Sequence, residues 1–324
     1  MPLRLLLRRF AWTAVLVPAG SACLCAQIKV TRLAATSDVA AFYHETTWGN
    51  LRGLKRLTPP LVNLTFVTDS GFRLSQRDET DRALPASLRL TGLQPANFQA
   101  IADAVHDALV AELRAQGIEV MPYEPLAVNP SFQELAHQAP RSGREQDVPQ
   151  TYQTIAGISG ARKTMTVVGH HCPWVGSFML ENFLPASRLT RELGATLPII
   201  SFLVEFVEYS TDRTTTYDWR EFLPPGQATD APPLRARPQI FLSAGTAALL
   251  TPDGQTASLT LSTAIGYEQA FVTGLRRTRG RDRDERKGGS YEVTVDPAAY
   301  QQAVIDVLKA QVVVIARKLA AGRR

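Results

Sequence analysis

Cysteine is scarce in this 324-residue chain, which has only Cys23, Cys25 and Cys172. If cleavage follows Ala26, Cys172 stands alone, and an internal disulfide is excluded even in an oxidising compartment. No apolar run reaches the roughly twenty residues that a membrane-spanning helix needs. No repeat of solenoid length recurs. There is no His-Glu-x-x-His and no Cys-x-x-Cys. Gly157-Ile158-Ser159-Gly160 and the stretch from Gly169 to Gly176 have neither the spacing of a nucleophile elbow nor that of a phosphate or dinucleotide loop. No motif assembles a nucleophile, a base and an oxyanion hole, and no cofactor is expected, although catalytic residues far apart in sequence would escape this test.

Export is the firmest expectation. Arg4, Arg8 and Arg9 form a basic start without an acid, Ala11 to Cys25 form a short apolar run broken by Pro18 and Gly20, and Ala22 and Ala26 offer small residues for cleavage. That order is the pattern of a secretory signal over residues 1–26 and predicts a periplasmic or secreted bacterial protein. An uncleaved N-terminal anchor, or a lipid on Cys23 in Gly20-Ser21-Ala22-Cys23, would instead tie the chain to a membrane; a lipobox would carry Leu three places before the cysteine, and here Gly20 stands there. Basic residues number 35 and acidic ones 30, but three arginines and no acid lie between Met1 and Ala26. The remainder carries 32 against 30, a formal +2, so the pI near 9.2 overstates the case for nucleic acid, which is not expected as a partner. Stability must come from an ordinary core, which a chain of this length at 45% hydrophobic content can supply.

The pattern of elements points to an α/β (α+β) fold: a mixed sheet flanked by helices, with a C-terminal antiparallel meander and a long C-terminal helix. Residues 27–60 read as an N-terminal extension and 61–324 as a single domain. Leu61 to Thr68 is rich in β-branched and apolar residues and predicts a strand, followed by a polar exposed loop from Asp69 to Arg82. Phe98, Ile101, Val105, Leu109 and Leu113 recur at helical spacing, with Pro95 suited to the first turn and Gly117 to the stop. Ile118 to Val120 begins a short strand. Residues 122–162, punctuated by five prolines, read as an irregular insertion with one short helix near Phe132 to His137. Thr164 to Gly169 predicts a strand, Ala186 to Leu193 a helix ending at Gly194, and Pro198 to Tyr209 a long buried strand. Ile240 to Leu250 and Ala257 to Leu275 read as antiparallel neighbours across Pro252-Asp253-Gly254. Tyr291 to Val295 is a strand, and Asp296-Pro297 caps a last helix running to about Ala320.

Ala108-Leu109-Val110 through Leu113 to Gly117-Ile118-Glu119-Val120, then a helix ending in Glu-Leu-Gly-Ala, a long strand, a meander and a last amphipathic helix, form an order with a known parallel. It resembles the periplasmic α/β domains related to the curli-secretion lipoprotein CsgG and the N-terminal domain of TolB, over about Leu61 to Leu319. The resemblance implies an envelope role and brings no catalytic residues with it. The insertion at 122–162 departs from it.

His170-His171-Cys172 is the densest group of metal-ligating types, suited to zinc or copper. Neighbours in a strand point to opposite faces, so the two histidines share an ion only if they sit in a loop. His44, His106 and His137 are scattered, and Glu181 and Glu192 lie near in sequence only. His106-Asp107 reads as a solvated pair on the polar side of its helix. Arg276 to Gly289 holds seven basic and three acidic residues; Arg279, Arg281 and Arg283 could touch an acidic partner or lipid headgroups, and the interspersed acids favour a solvated hairpin tip. Tyr217, Trp219 and Phe222 precede Pro224-Pro225-Gly226 and either pin a loop or form a contact surface. The expectation is therefore an exported, non-catalytic protein of the cell envelope that binds an envelope partner or assembles with copies of itself. The alternative is an exported hydrolase with a dispersed site, metal-assisted through His170 or His171.

Overall fold

The computed structural model describes residues 31–33, 38–74, 86–137, 143, 145–148, 158–159, 162–171, 180–209, 215, 217–227, 236–278 and 290–324. In chain order these form β1 (Thr31–Leu33), β2 (Tyr43–Thr46), β3 (Arg56–Leu57), β4 (Leu61–Leu74), β5 (Ala86–Thr91), α1 (Pro95–Ala115), β6 (Glu119–Val120), α2 (Glu124–Ala127), α3 (Pro130–His137), β7 (Glu145–Val148), β8 (Ile158–Ser159), β9 (Arg162–Val168), α4 (Leu180–Leu193), β10 (Leu197–Tyr209), β11 (Ala236–Leu250), β12 (Thr256–Leu261), β13 (Ile265–Tyr267), β14 (Val272–Thr278), β15 (Ser290–Val295) and α5 (Pro297–Gly322). The fold is α/β with a mixed sheet, an antiparallel meander towards the C-terminus and a long last helix. Among the described residues, no helix is long and apolar enough to cross a membrane.

The sheet forks at β4. Along one edge of this strand, Leu61 to Phe66 pair parallel with β10 and Asp69 to Phe72 pair antiparallel with β5. Along its other edge, Asn63 to Ser70 pair antiparallel with β9. Fourteen residues are enough to serve two neighbours in succession, and a register shift between Val67 and Asp69 marks the change. The loop expected from Asp69 is therefore strand as far as Leu74, because the polar residues there take ladder bonds; Tyr209 also donates to the Ser70 carbonyl at 2.9 Å. Residues 75–82 lie outside the described residues. Past β10 the sheet continues through β11 to β13 and β1, while β5 leads to β15 and β14.

Alternation along the strands divides the core in two. Val62, Leu64 and Phe66 of β4, Val167 of β9, and Ile200, Phe202, Val204 and Phe206 of β10 join a large cluster with α1 and α5. The other parity supplies Leu61, Val168, Leu197 and Ile199 to a small cluster with Leu126, Phe132, Leu135, Ala186 and Leu189. Further along that second parity the residues turn polar and bond to one another, Thr65 with Thr166 at 3.0 Å and Asn63 to Ser201 at 3.3 Å.

The predicted stripe of α1 is buried throughout, from Phe98 to Leu113. Pro95 sits in the first turn and Gly117 has the positive φ of 72° that ends the helix. Helix α5 starts on Asp296, whose carboxylate accepts from the Ala299 N–H at 2.8 Å. It carries Gln311 into the core, where Tyr43 donates to its amide oxygen and its amide nitrogen donates to Tyr267, each at 2.9 Å. Arg323 closes the far end by donating to the carbonyls of Gly117 and Gln116, the exposed C-terminus of α1.

Several boundaries depart from expectation. Residues 38–60 are woven into the same body: β2 pairs with β12, Leu51 and Leu57 are core, and the Trp48 indole N–H donates to the Lys318 carbonyl. The irregular insertion contains the expected short helix as α3, which starts two residues earlier at Pro130, and in addition α2, β7 and β8; the apolar residues of α2 and α3 fill the small cluster. Helix α4 begins at Leu180 rather than Ala186, with Pro185 inside it at the loss of one backbone bond. The long run from Ala257 to Leu275 breaks into β12, β13 and β14 because it changes neighbours, the first two pairing with β11 and the third with β15.

Candidate functional site

The aromatic loop residues end in different surroundings. Asp218 opens a short 3-10 turn, Trp219–Phe222, by accepting from the Arg220 N–H at 3.0 Å. Its carboxyl is held below the ordinary range by hydrogen bonds from the Arg220 side chain and backbone. Trp219 is buried and pins the turn to the core; Tyr217 and Phe222 are half-buried. Phe222 stands edge-on to Trp219, with ring centroids 6.4 Å apart. The Arg237 guanidinium lies 5.5 Å over the Phe222 ring and pairs with Glu268 at 2.7 Å. Phe222, Arg237 and Glu268 line a groove of about 530 Å³ together with Leu223, Pro224 and Phe271; Tyr217 and Trp219 do not. Arg279, Arg281 and Arg283 lie outside the described residues; the pair Thr278 and Ser290 closes the strands that flank them.

The histidines come together in a way the sequence did not announce. Strand β9 runs in beside α1, where the Gln99 side chain donates to the Val168 carbonyl at 2.8 Å. The next residue must be glycine: a Cβ on Gly169 would stand 2.8 Å from His106 Cβ and 3.1 Å from the Ala102 carbonyl oxygen. The chain then turns through Gly169–His171 with His170 in the left-handed region, at φ 49° and ψ 34°. Histidine is among the residues enriched there, but the conformation still costs of the order of 1–2 kcal/mol. Asp103 stabilises it by accepting from the His170 backbone N–H at 2.5 Å, and Gln99 donates to the same carboxylate oxygen at 2.8 Å.

So placed, the His170 ring meets Asp107, with Nε2 2.7 Å from Oδ1. His106 Nδ1 lies 3.5 Å from that same oxygen. The two imidazoles stand perpendicular, centroids 4.7 Å apart. His106 is not solvated: its side chain is 12% exposed, and its Nε2 is buried with no hydrogen-bond partner. Burial pushes its pKa down, against smaller opposing effects of Asp107 and Asp103. Burial also pushes the Asp107 carboxyl up, but the hydrogen bonds from His170 and His106 outweigh it and hold the group below its ordinary value.

His170 therefore leaves the sequence-adjacent set. Its partners are His106 and Asp107, both far upstream on α1. Cys172 lies outside the described residues, and His171 contributes backbone to the turn. The signal that could have found the cluster is the polar stripe Gln99, Asp103, Asp107 at four-residue spacing, which puts three side chains in a row along α1. What the stripe faces depends on β9. The arrangement offers two imidazoles and a carboxylate to a cation, or a carboxylate-oriented imidazole for proton transfer. The chain matches no family model, no curated protein and no solved structure.

Proposed function

We propose that the protein is exported by the segment ending at Ala26 and serves the cell envelope as a non-catalytic binding protein, taking a segment of an envelope protein partner against the groove beside Phe222. The observation that carries this reading is the make-up of the groove. Its walls are largely apolar, from Phe222, Leu223, Pro224 and Phe271, and a paired charge, Arg237 with Glu268, is part of the lining. An apolar floor with a few fixed polar groups is what a recognition groove needs: the floor supplies area to bury, and the charges fix orientation. Trp219 anchors the turn from below, so Phe222 is presented on a support that need not be ordered on binding. The basic-then-apolar start of the chain supports export, and the resemblance of element order to the CsgG and TolB group supports the envelope as its place.

The test is a pull-down from envelope fractions with the purified protein as bait, alongside Phe222→Ala and Arg237→Ala. The expected result is a specific protein retained by the wild type and lost with Phe222→Ala, while the melting temperature stays within a few degrees. Retention of the same protein by both variants would overturn the groove as the binding surface. Intact Met1 in soluble cytosolic protein would overturn export.

A further inference from the structure

We propose that His106, Asp107 and His170 bind one divalent transition-metal ion of the zinc and copper(II) class. The proposal rests on the geometry of the α1–β9 junction and not on the groove. One donor atom from each of the three residues lies within 4.8 Å of the other two. A tetrahedral ion with bonds of about 2.0–2.1 Å separates its ligands by about 3.3 Å. His106 Nδ1 and Asp107 Oδ1, at 3.5 Å, are already near that spacing and too far apart for a strong hydrogen bond. His170 Nε2 and Asp107 Oδ1, at 2.7 Å, must part by about half an ångström. Rotation of the Asp107 side chain, which is 67% exposed, supplies that movement. The ion replaces the hydrogen that bridges these two atoms.

The donor set selects the metal. Two imidazoles argue against calcium and magnesium, which take oxygen, and suit borderline ions such as zinc and copper(II). The surrounding residues act as supports for a ligand. The Gln99 to Asp103 to His170 backbone relay fixes the turn that aims the ring, and Gly169 allows the approach to His106. Metal-binding histidines commonly depend on such outer partners. A left-handed histidine held by a carboxylate is a strained arrangement, and strain retained at a cluster of donors points to use. His106 forms the inner wall, while His170 and Asp107 face solvent, so water completes the coordination.

The experiment uses the purified protein stripped with a chelator and titrated calorimetrically with Zn2+, with Co2+ as an optical probe. About one equivalent of Zn2+ should bind, and Co2+ should give the visible absorption of a nitrogen- and oxygen-bound tetrahedral or five-coordinate site. Outer-partner changes cost about 10–100-fold in metal affinity, so losing a ligand in His170→Ala or Asp107→Ala should cost more than that. Asp103→Asn should weaken binding within that range. His171→Ala and Cys172→Ser should bind as the wild type does. Because His106→Ala opens a gap under Gly169 and can unfold the protein, the exposed Asp107→Ala and His170→Ala variants carry the test, each with its melting temperature. No uptake of Zn2+ by the wild type would overturn the proposal, as would unchanged binding in both exposed-ligand variants. Loss of binding in His171→Ala or Cys172→Ser would also overturn it, in favour of the sequence-adjacent set. None of these residues lines the groove at Phe222, so failure here leaves the binding-protein reading standing.

Discussion

The two hydrophobic clusters are built from the same strands and yet differ in what seals them. On one parity of β4, β9 and β10, two long helices, α1 and α5, lie against strand positions from one end of the sheet to the other. They are tied to each other by Arg323 and to the meander by Gln311 between Tyr43 and Tyr267. On the other parity, α2, α3 and α4 close only over the strand ends at Leu61, Val168, Leu197 and Leu250. Beyond that patch the face is finished by Thr65, Thr166, Asn63 and Ser201. The lesson is that one parity is held by buried area and the other by local hydrogen bonds, so the second should open more readily than the first.

The largest expected effect is at the centre of the large cluster. Leu109→Ala removes a fully buried side chain from between α1 and the sheet and should cost about 2–5 kcal/mol in urea unfolding. A value below about 1 kcal/mol would mean that the large cluster is not the stable half. Leu135→Ala makes the same chemical deletion in the small cluster, where the short helix α3 can settle inwards to fill part of the gap. It should cost less than Leu109→Ala, and native-state hydrogen exchange should show α3 and α4 amides exchanging from a lower-energy opening than those of α1 and α5. Equal protection of both groups of helices would erase the distinction. Asp296→Ala should cost about 1 kcal/mol by uncapping α5, read as a shift of the urea midpoint at constant slope. Smallest is Arg188→Ala, which breaks the pair with Glu134 across α3 and α4. Both side chains are about half exposed, so the expected loss is about 0.2–1 kcal/mol and should shrink in high salt.

Most of the large cluster was legible in the chain. The α1 stripe, the α5 cap at Asp296-Pro297 and the β10 run are local periodicities and local caps, and the structure has each of them. The small cluster was harder to see because its helices are short and lie among prolines. Leu126 sits in a four-residue helix, and α3 spans eight residues. The first offers too few turns to read, whereas the second was expected over Phe132 to His137, two residues short of its start at Pro130. The fork at β4 was invisible for another reason: Asp69 and Ser70 are polar, and only a partner on each side makes them strand. Trp219 illustrates the same limit, since nothing local tells an aromatic that pins a turn from Phe222, which lines a groove.

The amino-acid sequence by itself determined the elements whose signal repeats within a few residues: the amphipathic stripe of α1, the capped start of α5 and the turn at Pro252-Asp253-Gly254. Only the tertiary structure decided which polar residues meet. Asp103 and Asp107 are two acids among thirty until β9 arrives beside α1, Gly169 lets it close on His106, and His170 turns left-handed to reach Asp107. Hydrophobic patterning survives in one dimension because burial is a property of a whole helix face. A constellation of donors depends on distances of a few ångströms between residues far apart along the chain, and those are fixed by packing alone.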